Sequence, residues 1–175
     1  MRYVAFLRAV NLGRNRRVTS ARLKSLFEEA GAEEVATFRT SGNVVFEAPR
    51  DLARGLEKHL EKALGHEVVI FLRTTKELKE IAAHEPFPPK QVEASKGKLQ
   101  VSMLDKKPTA PTRKKVLALA TEQDPLAFGE RELYWLPSGG TIESELDRKA
   151  IEKLLGPTTM RIKGTVELLA AKFFD

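Results

Sequence analysis

Two short stretches near the start of the chain combine side chains that could bind an anion. The first is Asn11-Leu12-Gly13-Arg14-Asn15-Arg16-Arg17, which follows an apolar segment and precedes a helical pattern. Backbone N–H groups at the helix start, the positive end of the helix dipole and three arginines could converge there on one phosphate group. The alternative is a solvated basic loop, because no P-loop or dinucleotide-binding glycine pattern accompanies Gly13.

The second stretch is Ser41-Gly42-Asn43, which lies between the apolar segments Val35 to Phe38 and Val44 to Phe46. This composition is typical of a hairpin turn, where serine, glycine and asparagine satisfy backbone geometry. A catalytic Ser41 would need a neighbouring base, and the sequence spacing identifies none. The simplest interpretation is therefore a turn, with ligand binding as the alternative.

Both stretches must be positioned by the first strand, Tyr3 to Val10, which is so continuously apolar that we expect a central strand covered on both faces. Arg8 conflicts with that pattern, unless it lies near the strand end and its head reaches water or an acidic partner. If the first and third strands are antiparallel neighbours, Val10 lies close to Asn43 and the two loops meet. The residues predicted to bind an anion are Arg8, Asn11, Arg14, Arg16, Arg17, Ser41 and Asn43.

The composition narrows the classes of partner. The chain has 175 residues, 42% hydrophobic and 31% charged, which is typical of a soluble protein, and it has no apolar run that could span a membrane. We therefore expect a cytoplasmic protein that does not bind membranes. It has no cysteine and three scattered histidines, so neither a metal nor a cofactor is predicted. The net charge of +6 favours an anionic partner, either nucleic acid or a phosphorylated small molecule.

The order of apolar patterns predicts an α+β fold built from two similar halves. Each half reads as βαββαβ followed by an extra helix, and we expect duplicated ferredoxin-like units with antiparallel sheets. The best boundary is residues 84–97, which contain three prolines. The predicted division is a subdomain at residues 1–83, a connection at 84–97 and a subdomain at 98–175. The segment Glu61 to Gly65 can be laid on Glu152 to Gly156 as a trace of this repeat.

Several polar residues are predicted to begin helices. Thr19 or Ser20 can cap the first helix, and Asp51 the next. Thr74-x-x-Glu77 has the pattern of a capping box, and Ser144-x-x-Asp147 is predicted to cap a later helix.

The N-terminal motifs resemble a known family. Tyr3 to Gly13, followed by Thr37 to Phe46, is similar to the opening of the bacterial family called domain of unknown function 1697, whose members read Y-V-A-L-L-R-G-I-N-V-G-G and then Q-S-G-N-V-V-F. The resemblance extends more loosely over the rest of the chain. It implies a duplicated α+β fold and lends no activity. Ala9 and Arg14 stand where the family has glycine, and Thr40 where glutamine is common, so the resemblance does not imply close backbone approach to a ligand there.

Three classes of function remain open from the sequence. The first is a binding module for nucleic acid or a nucleotide, although residues 39–46 lack the aromatic pattern that stacks bases in RNA-binding sheets. The second is an enzyme that acts on a small anionic metabolite, for which no general base can be named. The third is a structural or adaptor protein. Phe27 and Phe38 have the spacing of core residues and are interpreted as packing. The oligomeric state is not fixed by any of these patterns.

Overall fold

A computed structural model describes residues 1–8, 18–39 and 42–174 and contains two four-stranded antiparallel sheets. Seven helices accompany the sheets in the described part of the chain. The chain forms two compact units. Unit 1 covers the described residues up to Lys79 together with Phe173 and Phe174, and unit 2 covers Glu80–Lys172.

The first half of the chain alternates strands and helices in a fixed order. Its elements are β1 (Arg2–Arg8), α1 (Ser20–Glu29), β2 (Glu33–Thr37), β3 (Asn43–Glu47), α2 (Arg50–Leu64), β4 (Val69–Thr74) and α3 (Thr75–Ala83).

The second half repeats this order after a short helix. Its elements are α4 (Pro89–Ala94), β5 (Gln100–Leu104), α5 (Ala110–Leu117), β6 (Leu126–Phe128), β7 (Glu132–Trp135), α6 (Arg148–Leu155), β8 (Thr158–Ile162) and α7 (Lys163–Phe174).

The two sheets have matching strand orders, β2-β3-β1-β4 and β6-β7-β5-β8. In each, the first and third strands of the βαββαβ unit are antiparallel neighbours, as expected from the sequence. The predicted α+β class, the antiparallel sheets and the repeated element order with an extra helix are confirmed. The predicted division into residues 1–83, 84–97 and 98–175 stays a prediction.

Side chains of β1 alternate between two faces, and both faces are buried. Tyr3, Ala5 and Leu7 pack in one apolar cluster with buried residues of the two helices that cross the sheet. Those helical residues are Leu23, Leu26 and Phe27 of α1 and Ala53, Leu56 and Leu60 of α2. On the other face, Val4 and Phe6 are also buried, so the prediction of a central strand covered on both sides is confirmed.

The unit 2 core is organised around Trp135 on β7. Its ring packs with apolar residues of the sheet and of the helices α5 and α6, including Val116 and Ile151. Its Nε1–H donates a hydrogen bond to Asp124 Oδ1 at 2.9 Å, and Ser144 Oγ–H donates to the same oxygen at 2.8 Å. The buried carboxylate is therefore satisfied by two donors, which joins the segment before β6 to the segment before α6.

The helix starts confirm some predicted caps and correct others. Thr19 Oγ1 accepts a hydrogen bond from the N–H of Arg22 and caps α1. Thr74 and Glu77 form the reciprocal bonds of a capping box, 3.2 Å from Glu77 N–H to Thr74 Oγ1 and 2.8 Å from Thr74 N–H to Glu77 Oε2.

Two predicted caps are wrong. The helix α2 begins at Arg50 after Pro49, so Asp51 lies inside its first turn, where its charge still suits the helix dipole. The helix α6 is capped by Asp147, because Ser144 is occupied with Asp124.

The proline-rich connection contains α4, which begins at Pro89, the position where a helix tolerates proline best.

The helix α2 is tied to β4 by two carboxylates. Glu57 Oε1 accepts a hydrogen bond from the N–H of Ile70 at 2.7 Å, and Glu61 Oε1 accepts one from the N–H of Val68 at 3.2 Å. The strand β4 lies at the edge of its sheet, so these bonds satisfy donors that have no neighbouring strand.

Candidate functional site

Arg8 is the last residue of β1 and is half-buried. Its Cα is paired with that of Val69 on β4. A charged residue therefore lies at the end of an apolar strand, which is the position that resolves the conflict noted in the sequence.

The end of β1 contacts the turn between β2 and β3. The N–H of Leu7 donates a hydrogen bond to the carbonyl oxygen of Gly42 at 2.9 Å. Gly42 has a φ of 70°, and a Cβ at this position would lie 3.2 Å from Leu7 Cβ. Glycine is therefore required twice, by the left-handed backbone and by the close approach to β1. The loop that follows Arg8 and the turn that precedes Gly42 leave the same end of the sheet.

Asn43 is buried, and its hydrogen bonds close the turn. Its Nδ2–H donates to the carbonyl oxygen of Phe38 at 3.0 Å, and its own carbonyl accepts from the N–H of Phe38 at 2.9 Å. Its side chain is only 2% exposed and lies opposite Phe6 on β1. These bonds explain Asn43 as a turn residue, which is the simpler of the two interpretations offered by the sequence.

Most of the predicted site residues lie outside the described part of the chain. These are Asn11, Arg14, Arg16, Arg17 and Ser41, and the expected approach of Val10 to Asn43 falls there too. Among the described residues, Arg8 and Asn43 come to the same end of the sheet, because Asn43 faces Phe6 and Arg8 follows two residues later. The shared site stays a prediction.

Phe38 and Arg39 belong to the same turn, and sequence reasoning missed them as site residues. The Arg39 side chain is exposed, its Cζ lies 5.4 Å from the centroid of the Phe38 ring, and its φ is 60°. A left-handed backbone is uncommon for arginine, and strained residues of this kind concentrate at functional sites. The length of the turn was the only available signal, since backbone angles are not written in the sequence.

The equivalent end of unit 2 has the same frame. The N–H of Leu104 donates to the carbonyl of Arg131 at 2.9 Å, and the N–H of Gly129 donates to the carbonyl of Glu132 at 2.9 Å. Leu104 and Arg131 therefore occupy the places of Leu7 and Gly42. The connection from strand to helix is shorter, with residues 105–109 in place of residues 9–19, and the turn has residues 129–131 in place of 38–42.

Basic side chains at this end of unit 2 bind groups of the protein itself. Arg113 Nη2 donates to the carbonyls of Gly129 and Glu130, each at 3.1 Å. Lys107 Nζ forms an ion pair with Glu130 Oε2 at 3.1 Å. The structure therefore gives Arg113 an internal structural role.

The faces of the two sheets opposite the main helices do not offer exposed aromatic rings. Phe6 and Phe71 in unit 1 and Tyr134 in unit 2 are each at most 2% exposed. RNA-binding sheets stack bases on exposed aromatic rings. The buried rings of Phe6, Phe71 and Tyr134 cannot stack bases. The same faces carry the buried Arg73 and the half-buried Arg161, and desolvation lowers the pKa of Arg161 to about 10. Arg161 donates to Thr159 Oγ1 at 2.7 Å and stays protonated at neutral pH.

Metal-binding clusters and membrane-spanning helices are both absent from the residues that the structure describes. No group of three or more histidine, cysteine, aspartate or glutamate side chains there could hold a metal ion. No helix in the same residues is long and apolar enough to cross a membrane.

Comparisons with known proteins identify the family. The model of the family described as protein of unknown function, DUF1697, matches residues 1–134. No curated protein matches the chain. Among solved structures, the chain is similar to the conserved bacterial protein SP0830 from Streptococcus pneumoniae, with 18% sequence identity and a TM-score of 0.72. That match covers 99% of this chain and 98% of the other, and at this identity it shows a shared fold. The two halves, the first-strand motif and the family match agree, and the chain belongs to the DUF1697 family.

Proposed function

We propose that the protein is a cytoplasmic binding protein for a nucleotide or another phosphate-bearing ligand, held at the end of the first strand. We call this region the β1-end site and define it as Arg8, residues 9–17 and residues 38–43. The observation that carries the proposal is the bond from Leu7 N–H to the Gly42 carbonyl. It joins the strand that leads into the basic loop to the turn that contains Arg39.

The charge distribution supports an anionic ligand. The first 27 residues contain seven basic residues and no aspartate or glutamate, whereas the whole chain has a net charge of +6. A segment with seven basic residues and no acidic residue has a positive local charge, which favours an anionic ligand. Arginine is well suited to this role, because its planar fork binds two phosphate oxygens at once.

The neighbouring helix adds to this attraction. The basic loop directly precedes α1 in the chain, and the first turn of α1 has no acidic residue. The positive end of a helix dipole favours a phosphate group. Binding residues are often carried on loops between packed elements, and the basic loop lies in the chain between the buried strand β1 and α1.

The proposal is tested by removing two arginines of the loop. We expect the double substitution of Arg14→Ala with Arg16→Ala to weaken binding of AMP by about 1 to 3 kcal/mol, the range for charge-assisted hydrogen bonds. Isothermal titration at low and high salt measures this, and binding should weaken as salt increases. Circular dichroism should show an unchanged fold.

A matched control comes from unit 2. Lys114 and Lys115 are exposed on α5, and their double substitution by alanine removes the same charge without touching the β1-end site. Equal losses of AMP affinity in the two double variants would show that only the net charge of the protein determines binding. If AMP, inorganic phosphate and an oligoadenylate all fail to bind the native protein, the proposal is wrong and the enzyme and adaptor alternatives gain weight.

A further inference from the structure

Phe38 differs from the other aromatic residues of its sheet because its ring is only half-buried. Phe6, Phe46 and Phe71 are each at most 2% exposed and serve the core. The sequence interpreted Phe38 as packing of the same kind. The structure instead leaves part of this side chain accessible at the turn between β2 and β3.

The backbone of Phe38 is held by Asn43 from two directions. Asn43 accepts the N–H of Phe38 through its carbonyl and donates to the Phe38 carbonyl through Nδ2. Asn43 itself is buried between strands, so it cannot move without disturbing the sheet. Asn43 is thus a positioning residue for Phe38.

Phe173 and Arg39 are among the neighbours of the Phe38 ring. The Phe173 ring, in the same unit, meets it edge to face with centroids 6.1 Å apart. The Arg39 guanidinium lies 5.4 Å from its centroid and is exposed to solvent. The result is a supported aromatic ring with an accessible cation above it, and both groups can stack on a flat π-system.

Unit 2 has no such pair at the equivalent place. The hydrogen bond from Gly129 N–H to the Glu132 carbonyl corresponds to that from Phe38 N–H to the Asn43 carbonyl. Gly129 therefore stands where unit 1 has Phe38. The ring and its arginine are features of the longer turn, and the shared frame does not need them.

We propose that Phe38 and Arg39 form a stacking platform for the base of a nucleotide. This inference rests on the function proposed above and narrows its ligand to a phosphate-linked base. Stacking on an aromatic ring accepts any base, because every base has a π-face, and arginine adds a cation–π contribution. The base can belong to a free nucleotide or to single-stranded nucleic acid.

The test compares AMP with ribose 5-phosphate, which carries the phosphate without the base. Stacking typically contributes a factor of about 5 to 150 in affinity, so we expect the native protein to bind AMP more tightly than ribose 5-phosphate by this factor. The substitution Phe38→Leu should remove most of that preference and leave the affinity for ribose 5-phosphate unchanged. Isothermal titration measures all four affinities.

A second variant guards against a packing defect in the first. Arg39→Asn keeps a residue that tolerates the left-handed backbone and removes the cation, and it should lower the preference for AMP by a smaller factor. The matched control is Phe128→Leu in unit 2, because Phe128 is also half-buried beneath an arginine, with the Arg113 Cζ 5.2 Å from its ring centroid. This control should leave both affinities unchanged.

The outcomes separate this inference from the function on which it rests. If the native protein binds ribose 5-phosphate as tightly as AMP, the platform is refuted and a phosphate site remains. A preference for AMP that survives both Phe38→Leu and Arg39→Asn also refutes the platform, because the base must then bind elsewhere. If an oligoadenylate binds more tightly than AMP and Phe38→Leu removes its binding, the platform holds and its ligand is single-stranded nucleic acid. Failure of all three probes to bind removes both proposals.

Discussion

The two units share one hydrogen bond, which joins the first strand to the turn before the third strand. The loops around this bond differ in length. In unit 1 the bond runs from Leu7 to Gly42, and in unit 2 it runs from Leu104 to Arg131, each at 2.9 Å. Beyond it, unit 1 has eleven residues between strand and helix where unit 2 has five. Its turn between the second and third strands is also longer, with five residues against three.

This difference distinguishes the parts that both units share from the parts that occur in unit 1 alone. In unit 2, Arg113 and Lys107 bind the turn itself, so the short connections are satisfied from within. In unit 1, the longer connections carry three arginines of the loop and Arg39, and Phe38 stands where unit 2 has Gly129. Residues that the shared fold does not need are the best candidates for binding. Ordering such residues and holding like charges close together both cost free energy, and a function would explain that cost.

The largest expected effect concerns the cores of the two units, which we expect to contribute equally to the free energy of unfolding. Phe46 and Trp135 occupy equivalent places, opposite Tyr3 and Gln100 on the first strands, and both are buried. We expect Phe46→Ala and Trp135→Ala each to lower the free energy of unfolding by about 3 to 5 kcal/mol, measured in urea. Leu168→Ala is the control, since Leu168 is 53% exposed and should change little. A loss below about 1 kcal/mol in either unit would break the comparison.

A middle-sized effect should separate structural from functional arginines. Arg113→Ala removes donors to three carbonyls, those of Pro108, Gly129 and Glu130. We expect a loss of about 2 to 3 kcal/mol of unfolding free energy, because bonds from a charged donor exceed neutral ones. Arg39→Asn should cost less than about 1 kcal/mol, since the Arg39 side chain is exposed. Equal losses would mean that Arg39 also belongs to the frame.

The smallest effect concerns the glycine where the turn meets β1. Gly42→Ala must adopt a φ of 70° and accept a Cβ contact of 3.2 Å, so we expect a loss of about 1 to 2 kcal/mol in thermal or urea unfolding. Gly55→Ala in α2 is the matched control, because nothing lies within 4 Å of the added Cβ there. That change should raise stability by about 0.5 to 1 kcal/mol. Opposite signs would support the turn geometry, and a neutral Gly42→Ala would contradict it.

The sequence predicted the frame because apolar alternation and capping patterns are local. Thr74 with Glu77 forms the predicted capping box. Gly65 and Gly156 end their helices with φ values of 76° and 81°, as the sequence repeat suggested. The cap of α6 was wrong because Ser144 bonds Asp124, which lies twenty residues away and is invisible to local patterns.

The candidate site was harder to predict for a related reason. Alternation identified Phe38 as a core residue, yet its exposure depends on where the strand ends and the turn begins. Nothing in the sequence indicates that Arg39 adopts a positive φ, because arginine has no preference for it. Only the comparison of two turns of unequal length draws attention to this pair.

The carboxylates of Glu57 and Glu61 have a consequence beyond joining α2 to β4. An edge strand with open N–H groups is a template on which another chain can add a strand, and such pairing leads to aggregation. The N–H of Ile70 on this edge, and that of Val68 just before it, are already taken by side chains of the same unit. A second molecule that approached this edge would have to displace two acidic groups, so pairing at this end of β4 is disfavoured without an additional strand.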